Sequence, residues 1–509
     1  MSSIDSSLRP IRSTLTAAPA AAYLVVGLLV LAVTIVAAYV SLPGFALMTA
    51  VLLMTVGLAS LRWPRALLVL VVLAPLLDRF LIARVMPDSV RGLTQYVSEG
   101  LLLVVGVVLL VQGWRAGRIG AALRHPTTWA LVAFAAVAAV SALLNRVPPS
   151  VAIIGLVYTV DAIVLFYLVR LVGFDHRQAV QAVVAVGIAM VLLAGVSIGQ
   201  ALFDPNLFGL AVVTGRSGEA VRIGSLVRDP NVLGTLIGLV LPFALFGAVR
   251  LRRPRLRWTL AGIALLLMTS LLLTYSRGAW LGVVAGGGLV MLLLDRRVAG
   301  FALVTAFVAL GVATFMPRNL TTPPPTGDSP APELHFDPLG TTADRIGAVG
   351  EGKDLRTLFV INALPILRDH PLVGVGPGRY GGAAAYNLKT PVYDRYDTWK
   401  LLTAQRTVDN FWLHILVETG VLGALAFIAA IAAVVVGLAT TAWRSHGSVH
   451  VVAAGILAGA AAVSISTGTT MLLEGNTVAF MFWFLLGIGS LYRPPAPEPA
   501  SHPLREPVA

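Results

Sequence analysis

The stretch VDNFWLHILVETGVLG (residues 408–423) passes from polar to apolar within a few residues, and the chain then stays largely apolar to residue 439. A helix needs about 20 apolar residues to cross the hydrocarbon core of a bilayer, so this stretch reads as the mouth of a membrane helix over 410–439. Immediately before it lies the longest polar interruption of the chain, 317–409, which contains the turn-rich segment HPLVGVGPGRY (370–380). These two stretches set the frame for the rest.

Working outward, similar apolar runs recur from residue 21 almost to the end. Of 509 residues 57% are hydrophobic and only 12% charged, with a mean hydropathy of +0.86. A soluble domain of this size has no use for so much apolar surface, so lipid is the solvent for most of the chain. The pattern predicts an all-α polytopic membrane protein of about fourteen transmembrane helices by the length criterion. Their expected positions are 21–41, 45–62, 66–82, 95–112, 127–145, 150–170, 179–203, 231–249, 258–275, 278–294, 299–316, 410–439, 450–471 and 477–492. The first run lacks a small-residue cleavage site and reads as a retained helix rather than a removed signal. The expected organisation is a cytoplasmic tail (1–20), helices over 21–316, one large extracytoplasmic loop (317–409), helices over 410–492 and a Pro-rich, disordered cytoplasmic tail (493–509).

Charge placement gives the orientation. With both termini inside, the inner loops hold Arg62 and Arg65, Arg115 to Arg124, Arg170 and Arg177, Arg250 to Arg257, Arg296 and Arg297, and Arg444. That is the arrangement the positive-inside rule requires. The net charge of +13 therefore reflects topology, and nucleic acid is not an expected partner. There is no cysteine, which excludes disulfides, thiolate nucleophiles and cysteine-held metals.

The arginines on the other side need a separate reason. Loop 204–230 carries Arg216, Arg222 and Arg228, Arg277 sits at an outer helix junction, and 317–409 carries Arg318, Arg345, Arg356, Arg368, Arg379, Arg395 and Arg406. An anionic ligand is the simplest reason; interfacial anchoring or pairing with Asp229, Asp344, Asp354 and Asp369 is the competing one. Within the large loop, TTPPPTGDSPAPELHFDPLGT (321–341) reads as irregular. DLRTLFVINALPILRD (354–369) reads as an amphipathic helix on the outer leaflet, kinked at Pro365, with Leu355, Leu358, Phe359 and Leu367 facing lipid or scaffold.

Three constellations stand out. In LLLTYSRGAWLG (271–282), Arg277 interrupts two apolar helices, where a buried charge is costly, and Gly278 is expected to permit the reversal. In VRIGSLVRDPNVLG (221–234), a helix starting at Asn231 would offer its N–H groups to an anion, unless Asp229 merely caps it. In the third, Asn410, His414 and Glu418 share one helix face. Pairing of His414 with Glu418 is their plain structural reading. Asp409, at the wetter mouth, could accept a proton from a hydroxyl. Glu99 and Asp161 are further intramembrane acids without an assigned role. No metal-ligand spacing and no nucleotide-binding or hydrolase motif is present.

The SRG hairpin, the R…G…DPN segment, HPLxGVGxGxY and the closing NxxLxxxxExGxxG helix together resemble the O-antigen ligase and polymerase superfamily. The resemblance covers roughly 220–425. It implies cofactor- and metal-independent glycosyl transfer on the extracytoplasmic face of a bacterial inner membrane. The implied donor is a glycan on polyprenyl diphosphate, and the acceptor a glycan or lipid-glycan hydroxyl. Carried over by motif, Arg222, Arg277 and Arg356 would hold the diphosphate and Asp409 would act as base. Arg228, Arg379, Asn410 and His414 are further candidate substrate-binding residues. Ligases of the family have a histidine before the Asn of the closing motif, where this chain has Asp409; a polymerase, or a ligase with another acceptor, fits that better. The alternative class is a small-anion (bicarbonate-like) transporter, which would place its charges near the bilayer midplane rather than on one face.

Overall fold

Prolines mark where several of the apolar runs begin to coil. Pro126, Pro149, Pro230 and Pro254 each occupy the first turn of a helix, where a missing N–H costs nothing. The computed structural model describes residues 42–77, 97–203, 207, 213–214, 221–316, 355–399 and 407–492. The expected helix at 21–41, the tails 1–20 and 493–509, the Pro-rich segment 321–341, and Arg216, Arg318, Arg345 and Arg406 lie outside the described residues.

The described chain is helical apart from one pair of two-residue antiparallel strands, Val213–Thr214 and Val221–Arg222. In order the main helices are α1 (Leu42–Ser60), α2 (Pro64–Leu77), α3 (Val97–Arg115), α4 (Pro126–Leu144), α5 (Pro149–Val160), α6 (Ile163–Val172) and α7 (His176–Leu202). There follow α8 (Pro230–Arg250), α9 (Pro254–Leu273), α10 (Arg277–Leu294), α11 (Arg296–Phe315), α12 (Leu355–Asp369), α13 (Phe411–Arg444), α14 (Gly447–Ser466) and α15 (Asn476–Gly489).

Among the described residues nine helices are long and apolar enough to cross a membrane, or ten if α5 and α6 form one span bent by 55°. The chain is thus a multi-pass helical membrane protein. The expected count of fourteen includes the helix 21–41 and the end of the helix 66–82, which lie outside the described residues; among the described residues Pro64–Leu76 and Thr477–Gly489 are shorter apolar helices. The expected single helix 150–170 is broken where Asp161 Oδ1 takes the N–H of Ala162 at 2.6 Å. Asp161 there lies in the field of Glu99 and Glu474.

Helix α8 is the axis: 94% of its span is buried inside the protein, against 22% for α4 or α11. Its 21 residues reach about 31 Å, the thickness of a hydrocarbon core. Lipid gives helices little hydrophobic reason to associate, so close approach of small residues has to do the work. Gly278, Gly282 and Gly286 form such a stripe on α10: a Cβ on the latter two would run into the α14 backbone at Ala461 and Ala462. The π-helical stretch Gly282–Gly287 lies within this contact.

Side-chain contacts show that the basic clusters collect at one end of the bundle. Arg170 donates to the carbonyls of Ala122 and Ser490, and Arg250 pairs with Asp295. Trp114, Trp129, Trp258 and Trp443, all strongly exposed, ring the same end in the manner of an interfacial aromatic belt. The conspicuous outer arginines lie at the opposite end.

Candidate functional site

At that opposite end α8 begins beside the α9–α10 hairpin. Asp229 caps α8 by accepting the N–H groups of Asn231 (2.8 Å) and Val232 (3.3 Å). The plain capping reading therefore holds, and those two donors are not left for an anion. Asn231 does something else: its Oδ1 accepts Arg222 Nη2 at 2.8 Å and Ser276 Oγ at 3.0 Å. Arg222 Nε also donates to the carbonyl of Thr274 at 3.2 Å, and the Ile223 N–H to that of Leu273. Arg222 is thereby tied to the neck that presents Arg277. Both arginines are half-buried. The reversal itself is made at Tyr275, whose φ of 49° is left-handed. Gly278, expected to supply the turn, instead lies within α10, where a Cβ would collide with the Thr469 side chain.

The second group comes from the loop. Arg356, on the first turn of α12, places Nη2 3.4 Å from Asp409 Oδ2, with the two side chains 32% and 28% exposed. Asp409 is held at a left-handed φ of 43°, and Asn410 caps α13 by accepting the Leu413 N–H at 3.0 Å. Asn410 is thus engaged in shaping the mouth of α13.

Below the mouth the expected His414–Glu418 pair exists but is long, 3.8 Å between Nε2 and Oε2. The shorter bonds of both residues go to the backbone of one loop residue, Tyr380. His414 Nδ1 meets the Tyr380 carbonyl at 2.6 Å, and Glu418 Oε1 accepts the Tyr380 N–H at 2.8 Å. Tyr393 Oη accepts the Gly381 N–H at 2.7 Å, and Glu474 Oε1 the Ala383 N–H at 3.1 Å. Burial pushes the Tyr380 and Tyr393 phenols well above their usual value, so both stay protonated as donors. Tyr396, bonded to Asp369 Oδ2 at 2.6 Å, is pushed up to about 12, chiefly by desolvation and then by that carboxylate.

The loop is also spliced into α13 itself. The helix is broken at Gly420 (φ 63°), which releases carbonyls before the break and N–H groups after it. The segment 371–376 takes up both sets. Val375 and Gly376 donate to Val417 and Glu418, while Val421 and Leu422 donate to Pro371 and Leu372, all at 2.9–3.1 Å. A Cβ at Gly420 would strike Leu372, and one at Gly374 (φ 71°) would strike Glu418. Asn145 and Ser141 at the end of α4 complete the splice by donating to the Gly374 carbonyl. Beyond the break, residues 421–444 extend about 36 Å, enough to cross alone. His414 and Glu418 therefore lie in an outward extension of the span, which relieves much of the cost of a carboxylate in hydrocarbon.

Glu418→Ala should strand the Tyr380 N–H without an acceptor and destabilise the protein by about 1–3 kcal/mol, whereas Glu418→Gln, still an acceptor, should cost far less. Thermal unfolding in detergent separates the two. Equal losses would mean that the charge, not the hydrogen bond, holds the loop.

The chain segments that carry the two arginine groups both touch a segment that the sequence did not single out, the turn Thr467–Thr470 following α14. Gly278 is pressed onto Thr469, the Phe411 N–H donates to the Thr470 carbonyl at 3.1 Å, and Trp412 Nε1 to the Ser464 carbonyl at 2.7 Å. Arg277 and Asp409 thus flank one short turn. Two candidates are placed differently. Arg228 is exposed at a left-handed φ of 59°, and Arg379 donates to the Arg146 carbonyl at 3.3 Å, its basicity lowered by desolvation and by nearby Arg395. Among the described residues no cluster of His, Cys, Asp or Glu is arranged to hold a metal ion.

Residues 262–428 match a family model described as O-Antigen ligase. That range takes in Arg277, Arg356, the spliced loop and the first turns of α13. No curated protein matches the chain.

Proposed function

We propose that the chain, which a family model described as O-Antigen ligase matches over residues 262–428, is a member of the O-antigen ligase superfamily and moves a glycan from a polyprenyl-diphosphate donor to a sugar hydroxyl. The reaction takes place at the extracytoplasmic face of a bacterial inner membrane. The observation that carries this reading is that the hairpin bearing Arg277 and the mouth of α13 beside the Arg356–Asp409 pair both contact the turn Thr467–Thr470.

The chemistry follows from what the leaving group needs. A polyprenyl diphosphate departs with its charge already delocalised, so the protein has to bind that charge and align an acceptor. Guanidinium forks do so without a metal, since they stay charged and bind phosphate oxygens in pairs. Arg277 and Arg222 hold the diphosphate from the side of the α9–α10 hairpin. Arg356 is paired with Asp409 before substrate arrives. When the diphosphate draws Arg356 over, the Asp409 carboxylate is released at the mouth of α13. It then takes the proton of the acceptor hydroxyl as that oxygen attacks the anomeric carbon and the C–O bond to the diphosphate breaks. His414 and Glu418 act on the loop backbone rather than on substrate. The family match favours transfer over transport.

The direct test is purified protein in proteoliposomes with a synthetic polyprenyl-diphosphate oligosaccharide. Release of polyprenyl diphosphate together with an elongated or newly attached glycan, in the presence of chelator, is the expected result. Uptake of a labelled small anion with no glycan product would replace this reading with the transporter.

A further inference from the structure

At the basic end of the bundle, α13 stops at Arg444 and α14 starts at Gly447, and the corner between them opens into a cleft of about 630 Å³. Its wall includes Arg250, Arg252, Trp443, Ser445, His446 and His450. It lies the full length of α8 from Asn231, about 30 Å from the arginine groups described above. The cleft therefore belongs to the other membrane face.

Several features of this cleft point to an anion. Helix α14 is 20 residues long, and its first residue follows His446, whose side chain makes no capping bond, so the N-terminal N–H groups face the corner without a side-chain acceptor. Arg252 and His446 are both exposed on the rim. His450 is buried (7% exposed); its Nδ1 is fixed on the Ala442 carbonyl at 2.7 Å while Nε2, buried in the wall, has no hydrogen-bond partner among the described residues. Among the described residues no carboxylate lines the cleft, and Asp295, which pairs with Arg250, lies next to lining residue Leu294.

The height of the cleft identifies the source of the anion. Trp443 on its rim is 68% exposed and belongs to the belt formed with Trp114, Trp129 and Trp258. Such belts sit at the level of lipid headgroups. We propose that the α13–α14 corner is a binding site for the phosphate of an anionic phospholipid in the leaflet opposite the candidate active site. Arg252, His446 and the α14 N-terminus receive the phosphate oxygens, and Trp443 lies along the glycerol and upper acyl region. The site is independent of the glycan-transfer reading.

Native mass spectrometry of the full chain, delipidated and then titrated with phosphatidylglycerol or phosphatidylcholine, tests this. Phosphatidylglycerol should bind at least about fivefold more tightly than phosphatidylcholine, and Arg252→Gln/His446→Gln should erase the difference. Both positions are exposed, so the variant should keep its melting temperature; Arg252→Glu alone is the second variant and should lower phosphatidylglycerol affinity further than Arg252→Gln. Equal binding of the two lipids, or an unchanged preference in both variants, overturns the proposal. Inorganic phosphate in lipid-free detergent is the third arm. A rise in melting temperature with phosphate that the double variant lacks, without any lipid preference, would overturn the lipid assignment in favour of a free phosphate.

Discussion

Arg277→Ala is expected to lower glycan transfer by about 10²–10³-fold, the scale on which one lost transition-state donor is felt. The residue is half-buried at the neck between two apolar helices, where the hairpin is already closed by other means. Trp280 Nε1 donates to the Leu271 carbonyl at 2.9 Å, and Ser276 is held on Asn231. Removing the guanidinium should therefore leave expression, helicity and melting temperature close to those of the parent. Arg277→Lys keeps the charge but not the fork, and should recover only part of the rate. The measurement is single-turnover transfer from a polyprenyl-diphosphate glycan in proteoliposomes. Full activity of the alanine variant would remove the arginine from the chemistry and with it the main support for a metal-independent mechanism.

Asp409→Asn separates binding from turnover. Arg356 loses its ionic partner, at 3.4 Å in the resting protein, and becomes more available to the diphosphate, so donor affinity should hold or improve. The acceptor hydroxyl loses its base, and kcat should fall by about 10²–10⁴-fold. A fall in affinity with kcat intact would instead mean that Asp409 positions Arg356. An unchanged kcat would assign the proton to another group. Asp409 sits at a left-handed φ, a conformation asparagine tolerates well, which makes this the variant least confounded by backbone strain.

Much of the scaffold was legible because membrane helices advertise themselves by length and apolarity alone. The expected 231–249 and 258–275 correspond to Pro230–Arg250 and Pro254–Leu273, each begun at a proline. That the basic clusters would gather at one end of the bundle was equally readable, since positive-inside bias acts through local sequence. What sequence could not give was partnership. Nothing in the local pattern says that Glu418 prefers the Tyr380 peptide to His414, four residues away and on the same face. Nor does it say that Asn231 rather than Asp229 is the residue joining Arg222 to the hairpin. A glycine after a polar pair reads as a turn, whereas at Gly278 bulk, not backbone conformation, is what the contact with Thr469 restricts. The Thr467–Thr470 turn gives no signal in the sequence for a related reason: it carries no charge, and its importance is purely positional.

The break at Gly420 has a consequence for exchanging parts between relatives. Because four backbone hydrogen bonds join 371–376 to the two sides of that break, the outer loop and the head of α13 behave as one cassette despite the span of sequence between them. A graft that imports a foreign loop but keeps the resident helix would leave peptide groups bare in a contact where Val417, Glu418 and Gly420 are buried by protein. Recombination within such a lineage is thus constrained to inherit both pieces together, with crossover points falling before α12 and beyond Leu422.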